Sequence, residues 1–161
     1  MQSAYDAFQE GNRLLASQNP HAAVVALERA RDLEPDQGSV RETLGRAYFR
    51  TARFPAAGAE FARAVELDPV NDYAHFGLGL SLLRQGDRLG ARRHLKLAVA
   101  MRPDHDDYRA ALARVVDDDD ALLEGRRPRT SGPRTGAPRA DASRTDASRA
   151  DAPRTDAEAS Q

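Results

Sequence analysis

Three Pro residues recur 34 residues apart, and a fixed period of this length restricts the chain to folds built from stacked units. The three lie in the segments Glu34-Pro35-Asp36, Asp68-Pro69-Val70 and Arg102-Pro103-Asp104. Small and large apolar residues keep the same interval, in columns of Gly11, Gly45 and Gly79; Ala23, Ala57 and Ala91; Ala30, Ala64 and Ala98; Leu14, Tyr48 and Leu82; and Leu27, Phe61 and Leu95. Since so many columns stay in phase, we interpret residues 4–105 as three copies of one structural unit.

Each period reads as two amphipathic helices joined by a short turn, because apolar residues follow helical spacing on both sides of a turn signal. We expect first helices at 4–17, 38–51 and 72–85, and second helices at 20–33, 55–67 and 88–101. Pro20 and Pro55 fall where a first helical turn tolerates Pro, and Asn19 is a favourable N-cap. Gly86 and Asp87 supply the turn of the third unit.

In its period, its paired Gly and Ala columns and its terminal Pro, the sequence resembles the tetratricopeptide repeat family. The resemblance covers residues 4–103 and one further helix. It implies an all-α, right-handed helical-repeat solenoid of about 3.5 helix-turn-helix units, with seven helices. The sequence departs from the family at Glu10, where Leu is usual, and in the column that often holds Trp, which here contains Ala7, Arg41 and His75.

The expected repeat domain spans residues 1–124, with units at 4–37, 38–71 and 72–105 and a capping helix at 106–118. Asp6 and Arg13 are charged where the later units have small or apolar residues, as suits the outer face of a terminal repeat. In the capping helix, Tyr108 and Val115 occupy the columns that pack on the preceding unit.

Four consecutive carboxylates, Asp117–Asp120, are expected to end the capping helix, because negative charge opposes the dipole at a helix C-terminus. Leu122 and Leu123 follow, and two alternatives stay open for them. They either fold back over the capping helix or remain exposed as a contact for a partner.

Residues 125–161 lack Leu, Ile, Val and Phe and carry a five-residue period of Ala, Arg, Asp, Pro, Ser and Thr. Such a segment has no apolar surface to offset its ordering entropy, so we expect a disordered low-complexity tail. It is either without function, or a weak Arg-bearing docking or phosphate-binding segment, or a substrate for Ser/Thr modification.

The sequence offers few groups for catalysis or metal binding. Cys is absent, which excludes disulfides, thiol nucleophiles and Cys-ligated metals, and the motifs of phosphate-binding loops, serine hydrolases and zinc proteases are absent. The four His residues show no metal-ligand spacing. Asp104-His105-Asp106-Asp107 is the best metal candidate, but helix capping is the favoured interpretation. We therefore expect no enzyme activity, cofactor or metal.

The charge and the apolar segments limit the class of partner and the location. The net charge of −1 argues against nucleic acid or membrane as a bulk electrostatic partner. No signal peptide and no apolar stretch of transmembrane length is evident, and the absence of Cys fits a reducing compartment. We expect a cytoplasmic protein.

The family resemblance implies that the first helices line a concave groove that takes a peptide or a partner helix. Carried onto this sequence, the predicted groove residues are Tyr5, Phe8, Asn12, Arg46, Phe49, Arg50, Tyr73, Phe76, Leu80, Arg84 and Arg114. Aromatic and Arg side chains anchor many protein interfaces. The set includes four Arg beside one lining carboxylate, Glu42, so it predicts an apolar or aromatic peptide with some acidic character. For Phe8 and Phe76, burial between neighbouring helices is an equal alternative.

One subfamily clamps the C-terminal carboxylate of chaperones with Lys, Asn and Arg. Only one of the matching positions agrees, Asn12; the five positions hold Phe8, Asn12, Thr43, Tyr73 and Gly77. That mechanism is therefore rejected. The sequence predicts a non-enzymatic interaction module, an adaptor or scaffold. The alternatives are a module that self-associates weakly through the Leu122–Leu123 end or the groove, and an accessory subunit of an enzyme or larger complex.

Overall fold

A computed structural model describes residues 1–125, and all of its regular structure is helical. The seven helices of this part of the chain are α1 (Ala4–Ala16), α2 (Pro20–Leu33), α3 (Gly38–Arg50), α4 (Phe54–Leu67), α5 (Asp72–Arg84), α6 (Arg88–Met101) and α7 (Asp106–Leu123). The predicted bounds of the first six helices agree with these to within one residue. The predicted disordered tail lies outside the described residues.

The helices form two layers, because each helix packs on the next and the odd-numbered helices also meet each other. α1 contacts α3 and α3 contacts α5, whereas the described chain has no comparable contact between α2 and α4 or between α4 and α6. When a stack of helix pairs curves, the helices on the inner side lie closer to each other than those on the outer side. The odd-numbered helices therefore form the inner layer. The first helix of each unit therefore lines the concave surface, as the sequence predicts for the groove.

The Gly columns allow the two helices of a unit to approach closely. A Cβ atom on Gly11 would lie 2.4 Å from Cγ of Leu27, which is far inside van der Waals contact. A Cβ atom on Gly45 would lie 3.1 Å from the ring of Phe61, and one on Gly77 of the next unit would lie 2.5 Å from the same ring. The ring of Phe61 thus joins α3, α4 and α5 and is fully buried.

The turn inside each unit has one conformation that repeats every 34 residues. Gln18, Ala52 and Gly86 all adopt the left-handed region, with φ of 61°, 58° and 87°. The amide of the next residue donates back to a carbonyl five residues earlier, as in the bond of 2.9 Å from Arg53 N to Tyr48 O. This arrangement is a Schellman-type helix end, for which Gly is the favoured residue. Only the third unit has Gly there.

Side chains cap four of the helix N-termini. Ser3 and Asp6 form a capping box at α1, and Asn19, Asn71 and Asp87 accept amide hydrogen bonds at α2, α5 and α6. The capping bond to Asn19 is 3.3 Å long, which confirms that prediction.

The prediction of a side-chain cap at the N-terminus of α7 is wrong. His105 occupies the N-cap position, and its side chain makes no capping hydrogen bond. Asp106 and Asp107 follow in the first turn, where negative charge is favourable to the helix dipole.

α7 is longer than the sequence predicts, since the four carboxylates stay helical and the helix ends at Leu123. Arg88 on α6 supplies a physical reason. Its guanidinium donates to Val115 O at 3.0 Å and lies 3.4 Å from the Asp118 carboxylate, which offsets the negative charge there. Tyr108 and Val115 are buried on the preceding unit, as predicted.

Beyond this contact, Leu122 and Leu123 do not fold back. They are 50% and 87% exposed, as in the alternative in which they remain exposed. Among the described residues, no helix is long and apolar enough to cross a membrane.

Candidate peptide-binding groove

The concave surface is formed by α1, α3, α5 and α7, and the predicted groove residues lie on these four helices. Tyr5, Arg84 and Arg114 are exposed, and Tyr5 is 68% exposed. Partly buried positions are Phe8, Asn12, Arg46, Arg50, Tyr73 and Leu80. Phe49 and Phe76 are each only 5% exposed, so their rings belong to the core.

Phe49 supports the groove from beneath. Its ring meets the ring of Phe54 edge-on at 5.1 Å, and Arg84 lies over both rings at 5.9 and 5.3 Å from their centroids. Cation–π contacts of this kind help to hold a guanidinium in place. The exposed Arg84 is therefore oriented by the buried ring of Phe49 and the partly buried ring of Phe54.

Phe76 lies between the third unit and the capping helix. Its ring is 4.5 Å from that of Tyr108 and 6.3 Å from that of Tyr73, between centroids. The Tyr108 hydroxyl donates to the Asp72 carboxylate at 2.8 Å. Burial and the Asp72 carboxylate raise the pKa of Tyr108, so the hydroxyl keeps its proton and remains a donor.

Arg50 is held by contacts inside the domain. Its guanidinium donates to Leu15 O at 2.9 Å and to the side-chain oxygen of Gln18 at 2.5 Å. These bonds provide a donor for a carbonyl at the end of α1 and connect α1 to α3. Arg50 thus holds these two groove helices together.

The centre of the groove combines one acid, one cation and one aromatic ring. Asn71 donates to the Glu42 carboxylate at 2.8 Å. Burial raises the pKa of Glu42, while Asn71 and Arg46 act in the opposite direction. Burial also raises the pKa of Tyr73, whose hydroxyl lies within hydrogen-bonding reach of Arg46. Arg46 thus lies between a partly buried carboxylate and a neutral phenol.

The profile of the tetratricopeptide repeat family matches residues 8–72 and, in a second, overlapping match, residues 43–106. Together the two matches cover more than half of the chain. This chain belongs to the tetratricopeptide repeat family. No protein in the curated set matches it.

Solved structures of other tetratricopeptide repeat proteins share the fold. The first TPR of Spaghetti, bound to the HSP90 peptide SRMEEVD, has a TM-score of 0.69 at 19% identity and covers 76% of this chain and 94% of that one. The Sgt2 TPR domain from Aspergillus fumigatus has a TM-score of 0.72 at 18% identity, covering 83% and 90%. YrrB, described as a TPR protein with an unusual peptide-binding site, has a TM-score of 0.65 at 24% identity, covering 69% and 57%. Tetratricopeptide repeats are protein-interaction modules, and this chain is one of them.

Polar pairs replace the family's Trp in two units of this tetratricopeptide repeat protein, on the side away from the groove. Arg41 donates to Pro35 O at 2.7 Å and forms an ion pair of 2.8 Å with Glu60. Glu60 is buried and also pairs with Arg31 at 3.1 Å. A half-buried cation held between a carbonyl and a carboxylate thus fills the space of an indole ring.

The equivalent residue of the third unit, His75, also contacts the carbonyl of the preceding Pro and a side chain of the second helix. Its Nε2 lies 3.0 Å from Pro69 O, and its Nδ1 lies 3.0 Å from Nδ1 of His94. Neither helix on its own indicates this pair, because the two His residues lie in different helices. The 34-residue spacing could have revealed it, since His75 and His94 occupy the positions of Arg41 and Glu60. Within residues 1–125, no group of three or more metal-ligating side chains is present.

Proposed function

We propose that this protein is a non-catalytic adaptor that binds an extended or helical peptide carrying carboxylates and apolar or aromatic side chains in the groove of α1, α3, α5 and α7. The observation that carries the proposal is the central arrangement of Arg46 and Tyr73, with the Glu42 carboxylate beside them. A guanidinium has five N–H donors, so Arg46 keeps donors for a ligand while it contacts Tyr73.

The charges along the groove favour an acidic ligand. Arg46 lies on α3, Arg84 at the end of α5 and Arg114 on α7, and the partly buried Leu80 lies on α5 as well. Charge-assisted hydrogen bonds from Arg to carboxylate are about twice as strong as neutral ones. A ligand with spaced carboxylates and apolar side chains between them would match this alternation of Arg and apolar surface.

The solved structures support the ligand class without supplying its sequence. The peptide bound to Spaghetti, SRMEEVD, combines carboxylates with apolar residues. Among the positions that match the chaperone clamp, Thr43 and Gly77 are buried and carry no charge. We therefore propose that this chain recognises carboxylates within a segment through Arg46 and Arg84, and does not clamp a terminal carboxylate.

A peptide selection followed by a binding measurement tests the proposal. A random dodecamer phage library is panned on the full chain, and the enriched peptides are synthesised with a fluorophore. Fluorescence anisotropy then compares the wild type with Arg46→Ala/Arg84→Ala and with a control, Arg13→Ala/Arg29→Ala. The control removes two exposed cations that lie outside the groove.

The proposal predicts peptides rich in Asp, Glu and aromatic residues, with micromolar dissociation constants. Loss of the two groove cations should weaken binding at least about tenfold, and the control should change it by less than about twofold. Binding that is equal in all three proteins, or selected peptides without carboxylates, would contradict the proposal.

A further inference from the structure

The outward side of α6 is a basic and apolar surface, separate from the groove. A depression of about 710 Å³ on this side is lined by Leu89, Arg92, Arg93, Lys96, Leu97 and Ala100. Leu89 and Leu97 are 80% and 39% exposed, so the apolar part of this side is open to solvent. We name these six residues the α6 face. They lie opposite the buried residues of the same helix, Ala91, Leu95 and Ala98.

The charge of α6 sets it apart from the other helices. It carries Arg88, Arg92, Arg93 and Lys96 and no carboxylate, whereas the corresponding helices α2 and α4 both contain acids. Among the described residues, Arg93 and Lys96 take part in no hydrogen bond or ion pair. Cations beside exposed leucines are complementary to a surface that combines carboxylates with apolar side chains.

The chain itself contains such a surface, at the end of α7. Leu122 and Leu123 are exposed there, and the carboxylates Asp117 and Asp120 on the same helical segment are exposed as well. We name these four residues the α7 end. Since Asp118 lies beside Arg88, the first residue of α6, the last turn of α7 projects beyond α6 and is able to reach a neighbouring molecule.

We propose that two copies of this chain associate with the α7 end of each copy on the α6 face of the other. The two surfaces adjoin each other at Arg88, so a single twofold axis would form both contacts at once and close the dimer. The leucines of the two surfaces supply the apolar contact, and Asp117 and Asp120 face Arg93 and Lys96. The central groove residues, Arg46 on α3 and Tyr73 on α5, belong to neither surface, so they stay open in such a dimer.

Charge reversal with reciprocal rescue tests this interface. Sedimentation equilibrium on the full chain measures mass between about 5 and 500 µM at low salt, because an interface of this size gives a weak complex. The variants are Arg93→Glu/Lys96→Glu, Asp117→Lys/Asp120→Lys and the combination of all four. The control is Arg13→Glu/Arg29→Glu, which reverses two exposed cations elsewhere.

Each reversed pair should raise the dimer dissociation constant at least about tenfold, and the fourfold variant should return to within about threefold of the wild type. Leu122→Ser/Leu123→Ser should also weaken association, whereas the control should not. All altered residues are exposed, so far-ultraviolet circular dichroism should show the same helix content in every variant.

A wild type that stays monomeric at every concentration overturns the proposal, and so does a fourfold variant that fails to reassociate. The groove variant Arg46→Ala/Arg84→Ala must keep the wild-type dimer constant. If it loses association instead, the groove is the interface and the α6 face is not.

Discussion

His75 and His94 share a hydrogen bond of 3.0 Å between their Nδ1 atoms, at the two repeat positions where Arg41 and Glu60 form an ion pair. In both units the first-helix residue also contacts the carbonyl of the preceding Pro. The same two repeat positions therefore hold a polar pair in both units, an ion pair in the second and a His–His hydrogen bond in the third. These two chemistries respond differently to pH.

Replacing His94 should reduce the acid sensitivity of the fold. Burial lowers the pKa of His94, and the nearby His75 and Arg93 add to this, with Asp87 opposing. His75 donates from Nε2 to Pro69 O, so its Nδ1 accepts the proton of His94 Nδ1. A second proton on His94 would go to its Nε2 and place a positive charge in a partly buried site beside Arg93. The unfolded chain binds that proton more tightly, so stability is lost as pH falls through the ordinary value of 6.5.

Thermal melts in a series from about pH 7.5 to pH 5.5 check this prediction. The melting temperature of the wild type should fall more steeply than that of His94→Gln, which keeps a donor for His75. His21→Gln, at an exposed His of α2, should follow the wild type. Parallel curves for all three proteins would show that the pair does not contribute.

Removal of the Glu60 carboxylate should destabilise the second unit. Glu60 is buried and accepts hydrogen bonds from both Arg31 and Arg41, at 3.1 and 2.8 Å. Glu60→Ala would leave two half-buried guanidiniums without their shared partner and should cost about 2–4 kcal/mol. Urea unfolding measures the change. The exposed pair of Glu66 with Arg63 provides the comparison, since Glu66→Ala should cost less than about 1 kcal/mol. Equal losses would mean that the burial of Glu60 does not matter.

Ala52→Gly should stabilise the protein, although it removes a side chain. Ala52 is exposed and holds a φ of 58°, a conformation that costs a non-Gly residue about 1 kcal/mol or more. Gly86 has the same place in the third unit, and Gly86→Ala should therefore destabilise by about 1 kcal/mol. Urea midpoints of the two variants should move in opposite directions. A shift of both to lower urea would contradict the assignment of strain.

The fold could be predicted because its determinants are local and repeat in phase. Gly11 and Leu27 are one example: the two helices of a unit approach closely only if one has Gly and the other a large apolar residue at the contact. The same pair of positions recurs in all three units, so the sequence indicates this contact three times. The repeated left-handed turn was visible only at Gly86, since Gln18 and Ala52 give no signal of positive φ.

The details of the groove depend on contacts between units, which the period does not encode. Phe49 reads as a groove residue by position, but its contact with Phe54 at 5.1 Å buries it. In the same way, the four carboxylates of α7 remain helical because Arg88 of α6 lies beside Asp118. Both outcomes follow from one side chain reaching a neighbouring helix.

The groove should bind acidic peptides more tightly when Glu42 loses its charge. Glu42→Gln keeps an acceptor for Asn71 and removes a negative charge beside Arg46, so affinity at neutral pH should rise about twofold to tenfold. Burial raises the pKa of Glu42, so in the wild type this group takes up its proton at a higher pH than the exposed carboxylates of a peptide do. Lowering the pH from neutral toward the ordinary Glu value of 4.5 should therefore neutralise Glu42 before the peptide carboxylates and tighten binding to the wild type, whereas Glu42→Gln should lack this effect. Anisotropy titrations with the selected acidic peptides measure both effects. If Glu42→Gln binds them more weakly, Glu42 contacts the peptide as an acceptor and the ligand must present donors at that position.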